Sequence, residues 1–295
     1  MKILHGSGIH SSVMHFHVRL LCFWMLFSLA FSANFTDLFQ PFWAPDHIVN
    51  EDNLVKLTLD NTSGCGIRSR RNYLFGRASV QIKLIEGDSA GTVTAFYMSS
   101  DGPDHDELDF EFLGNVSGEP YLVQTNVYVN GTGNREQRHS LWFDPTADFH
   151  SYSFLWNRHC IIFLIDGIPI RVFTNKEEEI GVPYPKNQGM GIYGSVWNAD
   201  DWATQGGSVK TDWSHAPFIS AFRSFNIDAC EYLAESDGTV GKCREGGLYW
   251  WDKPALNSLS LHQSRQLKWV RAKHLVYDYC KDTGRFNELP RECLS

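Results

Sequence analysis

From about residue 50 to 228, apolar and polar residues alternate with a period of two, and nothing else in the chain restricts its fold so strongly. Val55, Leu57 and Leu59 alternate with Lys56 and Thr58, and Val80, Ile82 and Leu84 with Ser79, Gln81 and Lys83. Tyr152, Phe154 and Trp156 repeat the pattern, as do Ile219, Ala221, Phe225 and Ile227, with Arg223 as the exception. Ile161–Ile165 and Ile168–Phe173 flank Asp166-Gly167, a pair that supplies the positive φ angles of a two-residue hairpin turn. Many short strands, glycine-rich turns and no long helical period predict an all-β chain of two packed antiparallel sheets. The run Glu177-Glu178-Glu179 reads as a solvated loop.

After Cys230 the texture changes. Leu259, Leu267 and Val270 have helix-compatible spacing, Ser258 or Ser260 can cap, and His274 to Tyr279 reads as a strand. The expected organisation is a leader over 1–32, a sandwich over 33–228 and a short extension over 229–295 containing that helix and strand. The leader is expected because Leu20 to Ala30 is an unbroken apolar run, and Lys2 and Arg19 are the only charges before Asp37. Eleven apolar residues are too few to span a bilayer and suit a signal-peptide core, with Ser28, Ala30 and Ser32 as small residues near the cleavage point. The alternative, a buried N-terminal helix, fits those flanks less well.

A secreted chain can form disulfides. Without Cys22 there remain Cys65, Cys160, Cys230, Cys243, Cys280 and Cys293, which leaves many pairings open. Cys230/Cys243 and Cys280/Cys293 share a short spacing, and Cys65 and Cys160 lie in strand-like segments, as a third bridge or as two buried thiols. Sequons occur at Asn34, Asn61, Asn115 and Asn130. The formal net charge of -8 argues against nucleic acid and anionic membranes as partners.

The chemistry concentrates in His105-Asp106-Glu107-Leu108-Asp109-Phe110-Glu111-Phe112. On a strand, Leu108, Phe110 and Phe112 face the core, and Glu107, Asp109 and Glu111 line the other face. Three carboxylates in one row repel each other, and such crowding raises at least one pKa. A retaining glycosidase needs that asymmetry, with one ionised carboxylate as nucleophile and one protonated carboxyl as general acid. Residues i and i+4 lie ~13 Å apart along a strand. Side chains leaning together can close this to the ~5–5.5 Å that retention requires. A merely solvated acidic strand or a calcium site are the alternatives, but Asp101-Gly102-Pro103-Asp104 lacks the EF-hand glycine position. Trp197-Asn198-Ala199-Asp200-Asp201-Trp202-Ala203, followed by Gly206-Gly207, combines indoles, amides and glycines suited to sugar faces and hydroxyls, with Trp202 the better candidate for exposure.

Over essentially the whole mature length the sequence resembles the xyloglucan endotransglucosylase/hydrolases, a plant family within glycoside hydrolase family 16. The segments HDELDFEFLGN (105–115), LVQTNVYVNGTGNREQRHSLWFDPTADFHSYSFLWN (122–157) and SVWNADDWATQGG (195–207), with the C-terminal cysteines, carry the resemblance. It implies a β-jelly-roll, with Glu107 as nucleophile, Asp109 as its helper and Glu111 as acid/base. It implies glucan contacts from Glu111, Gln124, Thr125, Asn126, Asn134, Arg135, Glu136, Trp202, Ala203, Gly207 and Arg285. It further implies an N-glycan at Asn115 and disulfides Cys230–Cys243 and Cys280–Cys293, with no cofactor and no metal. The expected substrates are a xyloglucan donor and a xyloglucan or oligosaccharide acceptor, used by a monomer in the extracellular cell wall. The family's predominantly hydrolytic branch carries an insertion where this chain has only Asn130-Gly131-Thr132-Gly133-Asn134, so the resemblance implies mainly transglucosylation. An endohydrolase of the same chemistry and a non-catalytic glycan-binding sandwich are the competing readings.

Overall fold

The alternating segments become strands, β1 (Phe39–Trp43), β2 (Ile48–Glu51), β3 (Leu54–Leu59), β4 (Cys65–Ser69), β5 (Asn72–Lys83), β6 (Thr92–Ser99), β7 (Glu107–Leu113) and β8 (Leu122–Tyr128). They continue as β9 (Gln137–Ser140), β10 (His150–Trp156), β11 (Cys160–Ile165), β12 (Ile168–Thr174), β13 (Gly191–Asn198), β14 (Phe218–Tyr232) and β15 (Leu275–Asp278). The computed structural model describes residues 34–233 and 239–294. The leader expected over 1–32 lies outside them.

Two antiparallel sheets stack face to face. One runs β1-β4-β13-β6-β7-β8-β9-β15 and the other β12-β11-β10-β5-β14-β3-β2. The runs β6 to β9 and β10 to β12 are meanders between sequence neighbours, whereas β13 returns between β4 and β6 and β14 between β3 and β5. Such long returns are the Greek-key element of a jelly roll.

The inner faces meet in an aromatic core. Phe110 of β7 is fully buried, and its ring centroid lies 5.0 Å from Phe154, 5.4 Å from Phe163 and 5.8 Å from Tyr152. Replacing a phenylalanine so placed by alanine typically costs about 3–5 kcal/mol. Leu108 and Phe112 are equally buried, so β7 is anchored from behind against the repulsion among its carboxylates.

The hairpin forms as expected, with Ile165 opposite Ile168 and Asp166 and Gly167 at φ of 49° and 75°. In β14 the structure corrects the alternation. Phe218, Ser220 and Phe222 are buried, while Ile219 is 42% exposed. A register shift between Arg223 and Asn226, with Ser224 at φ of 53°, then turns half-buried Phe225 and Ile227 inward. A bulge flips the phase, so one period cannot describe both halves of the strand. Pairing of Glu231 with Tyr73 and of Tyr232 with Asn72 also carries β14 past 228, the expected sandwich boundary.

The triple glutamate is not a loop but opens a single helical turn, α2 (Glu177–Ile180), where Asn175 Oδ1 accepts from the Glu177 N–H at 3.1 Å and Lys186 pairs with Glu177. Besides α1 (Phe35–Leu38) and α3 (Thr239–Arg244), the C-terminal helix α4 spans Leu261–Lys273. Ser260 caps it in a box with Gln263, and Leu267 and Val270 form its buried side. Directly after it, β15 adds to β9 as the outermost strand of the first sheet. Disulfides join Cys230 to Cys243 and Cys280 to Cys293. Cys65 and Cys160 are buried free thiols in opposite sheets, and burial raises both to about 11.

Candidate active site

The outer face of the first sheet floors a cleft of about 870 Å³. Antiparallel registers align one rung across all eight strands. In order it runs Trp43, Gly66, Ser195, Ala95, Glu111, Gln124, Arg138 and Tyr277. Every member except Gly66 lines the cleft. A Cβ on Gly66 would stand 2.0 Å from the Trp43 ring, so the missing side chain makes room for the indole. The neighbouring rung carries Tyr193, Tyr97, Asp109 and Asn126, and Glu107 lies opposite Tyr128. On one side of Glu111 the floor is therefore small (Ala95, Ser195), and on the other it is polar and long.

The three carboxylates sit in unequal surroundings. Asp109 is 6% exposed, and burial pushes its carboxyl well above the ordinary range, reinforced by the charges of Glu107 and Glu111. Held protonated, it serves as hydrogen-bond donor to Glu107. Glu111 is pushed up to about 7, chiefly by burial, although a hydrogen bond from Gln124 Nε2 to its Oε2 at 2.6 Å favours the ionised form. Arg138 Nε donates to Gln124 Oε1 at 2.7 Å, which turns the amide so that its NH₂ faces Glu111. Glu107 is half-buried, with His105 Nε2 3.8 Å from its Oε2. A carboxyl still protonated near neutrality thus stands four residues along the strand from one that accepts a hydrogen bond.

At the far end, Arg285 joins the C-terminal segment to the loop after β8. Its guanidinium donates to Glu136 Oε2 at 2.6 Å, Glu136 Oε1 at 3.1 Å and Asn134 Oδ1 at 2.9 Å. Glu136 and Arg285 line the cleft together with Gln124, Asn126 and half-buried Trp202. Asn134 stands behind them.

Besides Asn134, four residues expected at the glucan do not line the cleft. Thr125, between Gln124 and Asn126, must face the opposite way on a strand. Its hydroxyl and carbonyl accept from the buried Arg171 at 3.0 and 2.8 Å. Arg135 is buried away from the cleft and pairs with Glu292 at 2.7 Å. Ala203 packs with Val93, Leu113 and Ala199 beneath Trp197 and Trp202. Gly207, at φ of 85°, closes the loop against the Asp201 carbonyl, where a Cβ would come within 2.0 Å. These last two support Trp202 from below.

Sequence reading missed several cleft residues, namely Trp43, Ala95, Tyr97, Tyr128, Arg138, Ser195, Tyr277 and Asp282. Tyr128 was reachable, two positions beyond Asn126 on one strand. The others on strands depend on inter-strand register, and Asp282 on where the segment after β15 runs, neither of which the local sequence encodes. Among the described residues no cluster of three or more His, Cys, Asp or Glu side chains is arranged to hold a metal ion.

Comparison with known proteins agrees with this geometry. The family model of glycosyl hydrolases family 16 matches residues 35–215, and that of the xyloglucan endo-transglycosylase C-terminus matches 245–293. The chain is 63% identical over 266 residues to xyloglucan endotransglucosylase protein 6 of Diospyros kaki, covering 89% of each. It is 61% identical to xyloglucan endotransglucosylase/hydrolase protein 9 of Arabidopsis thaliana, covering 88% of this chain and 89% of that one. The solved structure of the Crh5 transglycosylase shares the fold, with a TM-score of 0.56 at 24% identity over 69% of this chain and 85% of that one. A family model over most of the sandwich, joined to relatives matched along nearly their whole length, settles the assignment: this chain belongs to glycosyl hydrolases family 16, among the xyloglucan endotransglucosylase/hydrolases.

Proposed function

We propose that the protein cuts the β-1,4-glucan backbone of xyloglucan with retention and rejoins the fragment to another xyloglucan chain. One observation carries this reading, namely that Glu111, pushed up to about 7, stands four residues along the same strand face from half-buried Glu107. A binding module gains nothing from a buried, protonated carboxyl beside a nucleophile.

In the first step Glu111 gives its proton to the glycosidic oxygen as the bond to the anomeric carbon breaks. Glu107 attacks that carbon and forms a covalent glycosyl-enzyme. Protonated Asp109, by hydrogen-bonding Glu107, orients the nucleophile and stabilises the carboxylate when it departs. In the second step ionised Glu111 takes the proton from an acceptor hydroxyl, whose oxygen displaces Glu107.

Water or a sugar can serve as acceptor, and occupancy of the acceptor side decides between them. Asn126, Glu136, Trp202 and Arg285 are the proposed glucan contacts, with Asn134 acting through Arg285. The short turn at Val129–Thr132, with Asn130 and Gly131 at φ of 50° and 72°, supports transfer over hydrolysis, because nothing longer rises there beside Arg285. The sandwich expected over 33–228, which β14 carries on to Tyr232, would be the catalytic unit, and the extension after it would complete the acceptor wall. Secretion to the cell wall and an N-glycan at Asn115 belong to the same proposal. The Asn115 amide is half-buried and donates to the Pro120 carbonyl at 3.1 Å, a bond that the single N–H of a glycosylated amide can still make.

The test measures reducing ends released from xyloglucan with and without a labelled oligosaccharide acceptor. Label should enter polymer, with few new reducing ends. Steady release without incorporation would instead make the protein an endohydrolase. Glu107→Gln should lower activity by roughly 10⁴-fold or more while oligosaccharide binding persists. Undiminished function in that variant would favour the binding-module reading.

A further inference from the structure

Between Asp252 and Asp278 the chain has five cations (Lys253, Arg265, Lys268, Arg271 and Lys273) and no carboxylate, in a protein whose net charge is -8. Helix α4 gathers four of them. Leu261, Arg265, Lys268, Trp269 and Ala272 share its exposed outer face, opposite Leu267 and Val270. Among the described residues none of these four α4 cations has a carboxylate within ion-pair distance.

An indole stands among these charges. Trp269 is 42% exposed, and its neighbours are Trp142, with ring centroids 5.3 Å apart, and His274 at 4.7 Å. The rings hold Trp269 in place from one side and leave it open on the other. The apolar content of the outer face is too narrow for insertion into a bilayer, since Trp269 and Leu261 are its only large apolar side chains. Nucleic acid carries a denser charge than this one helix can offset against the acidic remainder of the molecule.

We propose that the outer face of α4 is a docking surface for an acidic polysaccharide, a polyuronate, separate from the cleft. Each ring of such a polymer offers a C–H face to stack on Trp269 and a carboxylate for Arg265 or Lys268. Lys273 and Arg271 extend the basic field toward β15, whose Tyr277 lines the cleft. Docking there tethers the enzyme to a charged matrix without occupying the groove for its neutral substrate.

The experiment measures binding of the whole protein to immobilised polygalacturonate, with no turnover required. Binding should be present at low ionic strength and weaken about tenfold or more by ~0.3 M salt, where the screening length is a few ångströms. Arg265→Glu/Lys268→Glu/Lys273→Glu should lose roughly tenfold or more in affinity. It should keep wild-type transfer between neutral chains, which also reports that it is folded. Trp269→Ala should weaken binding without altering its salt dependence. Fully methyl-esterified polymer, uncharged but otherwise alike, should not be held by the wild type. Equal binding of that esterified polymer, equal binding of the triple variant, or tighter binding to anionic vesicles or to single-stranded DNA would each overturn the proposal.

Discussion

Replacing Gln124 by methionine removes the one hydrogen bond that favours ionised Glu111 and leaves the burial that opposes it. The bond is short, 2.6 Å, and charge-assisted when Glu111 is ionised. Such bonds contribute about 1.5–3 kcal/mol. At about 1.4 kcal/mol per pKa unit, and with partial replacement by water, the carboxyl should rise by about one unit. The sign is fixed because the lost interaction stabilised the charged form. The acid/base must be protonated when the glycosidic bond breaks, so Glu111 sets the alkaline limb of kcat/KM. The assay is transfer to a labelled oligosaccharide at saturating acceptor and limiting donor, from about pH 5 to 9. In the wild type the limb should centre on about 7. In Gln124→Met it should move to about 8, whatever happens to the absolute rate. A limb that stays in place or moves to lower pH would refute the assignment of Glu111 as acid.

Glu111→Gln should be inactive yet more stable than the wild type at high pH. The folded protein holds this proton up to about 7, against 4.5 ordinarily, so ionisation costs stability from pH 4.5 upward and fully above 7. Melting curves should coincide at pH 4 and diverge by up to about 3 kcal/mol at pH 8. Arg285→Lys, which loses the planar fork on Glu136, should raise the acceptor KM by about tenfold and leave the donor KM unchanged. Equal effects on both would place Arg285 outside the acceptor side. Cys280→Ser/Cys293→Ser, opening a loop with a separation of 13 residues, should cost about 3 kcal/mol by urea unfolding. If the extension holds the acceptor wall, transfer should fall in that variant before bulk unfolding begins.

What was legible in the sequence depended on distance along the chain. The row Glu107, Asp109, Glu111 and its apolar reverse face follow from a period of two, a property of the strand itself. The Asp-Gly hairpin and the serine cap of the C-terminal helix are likewise local, and both formed, the cap at Ser260 rather than Ser258. The same period sends Thr125 inward to Arg171, between the outward Gln124 and Asn126. For β14, Ser224 gives no sequence sign of a bulge, and the exposed Ile219 resulted.

The sequence alone thus determined which chemistry the chain carries and on which face of its own strand. Tertiary structure decided what that chemistry works beside. Trp43 and Tyr277 stand on one rung with Glu111 only because eight strands from distant parts of the chain pair in register, a non-local choice driven by burial of the shared core. Burial also set the protonation of the row, since desolvation raises Asp109 and Glu111 and the groups flanking them, Tyr97 and Asn126 beside Asp109, Ala95 and Gln124 beside Glu111, come from other strands.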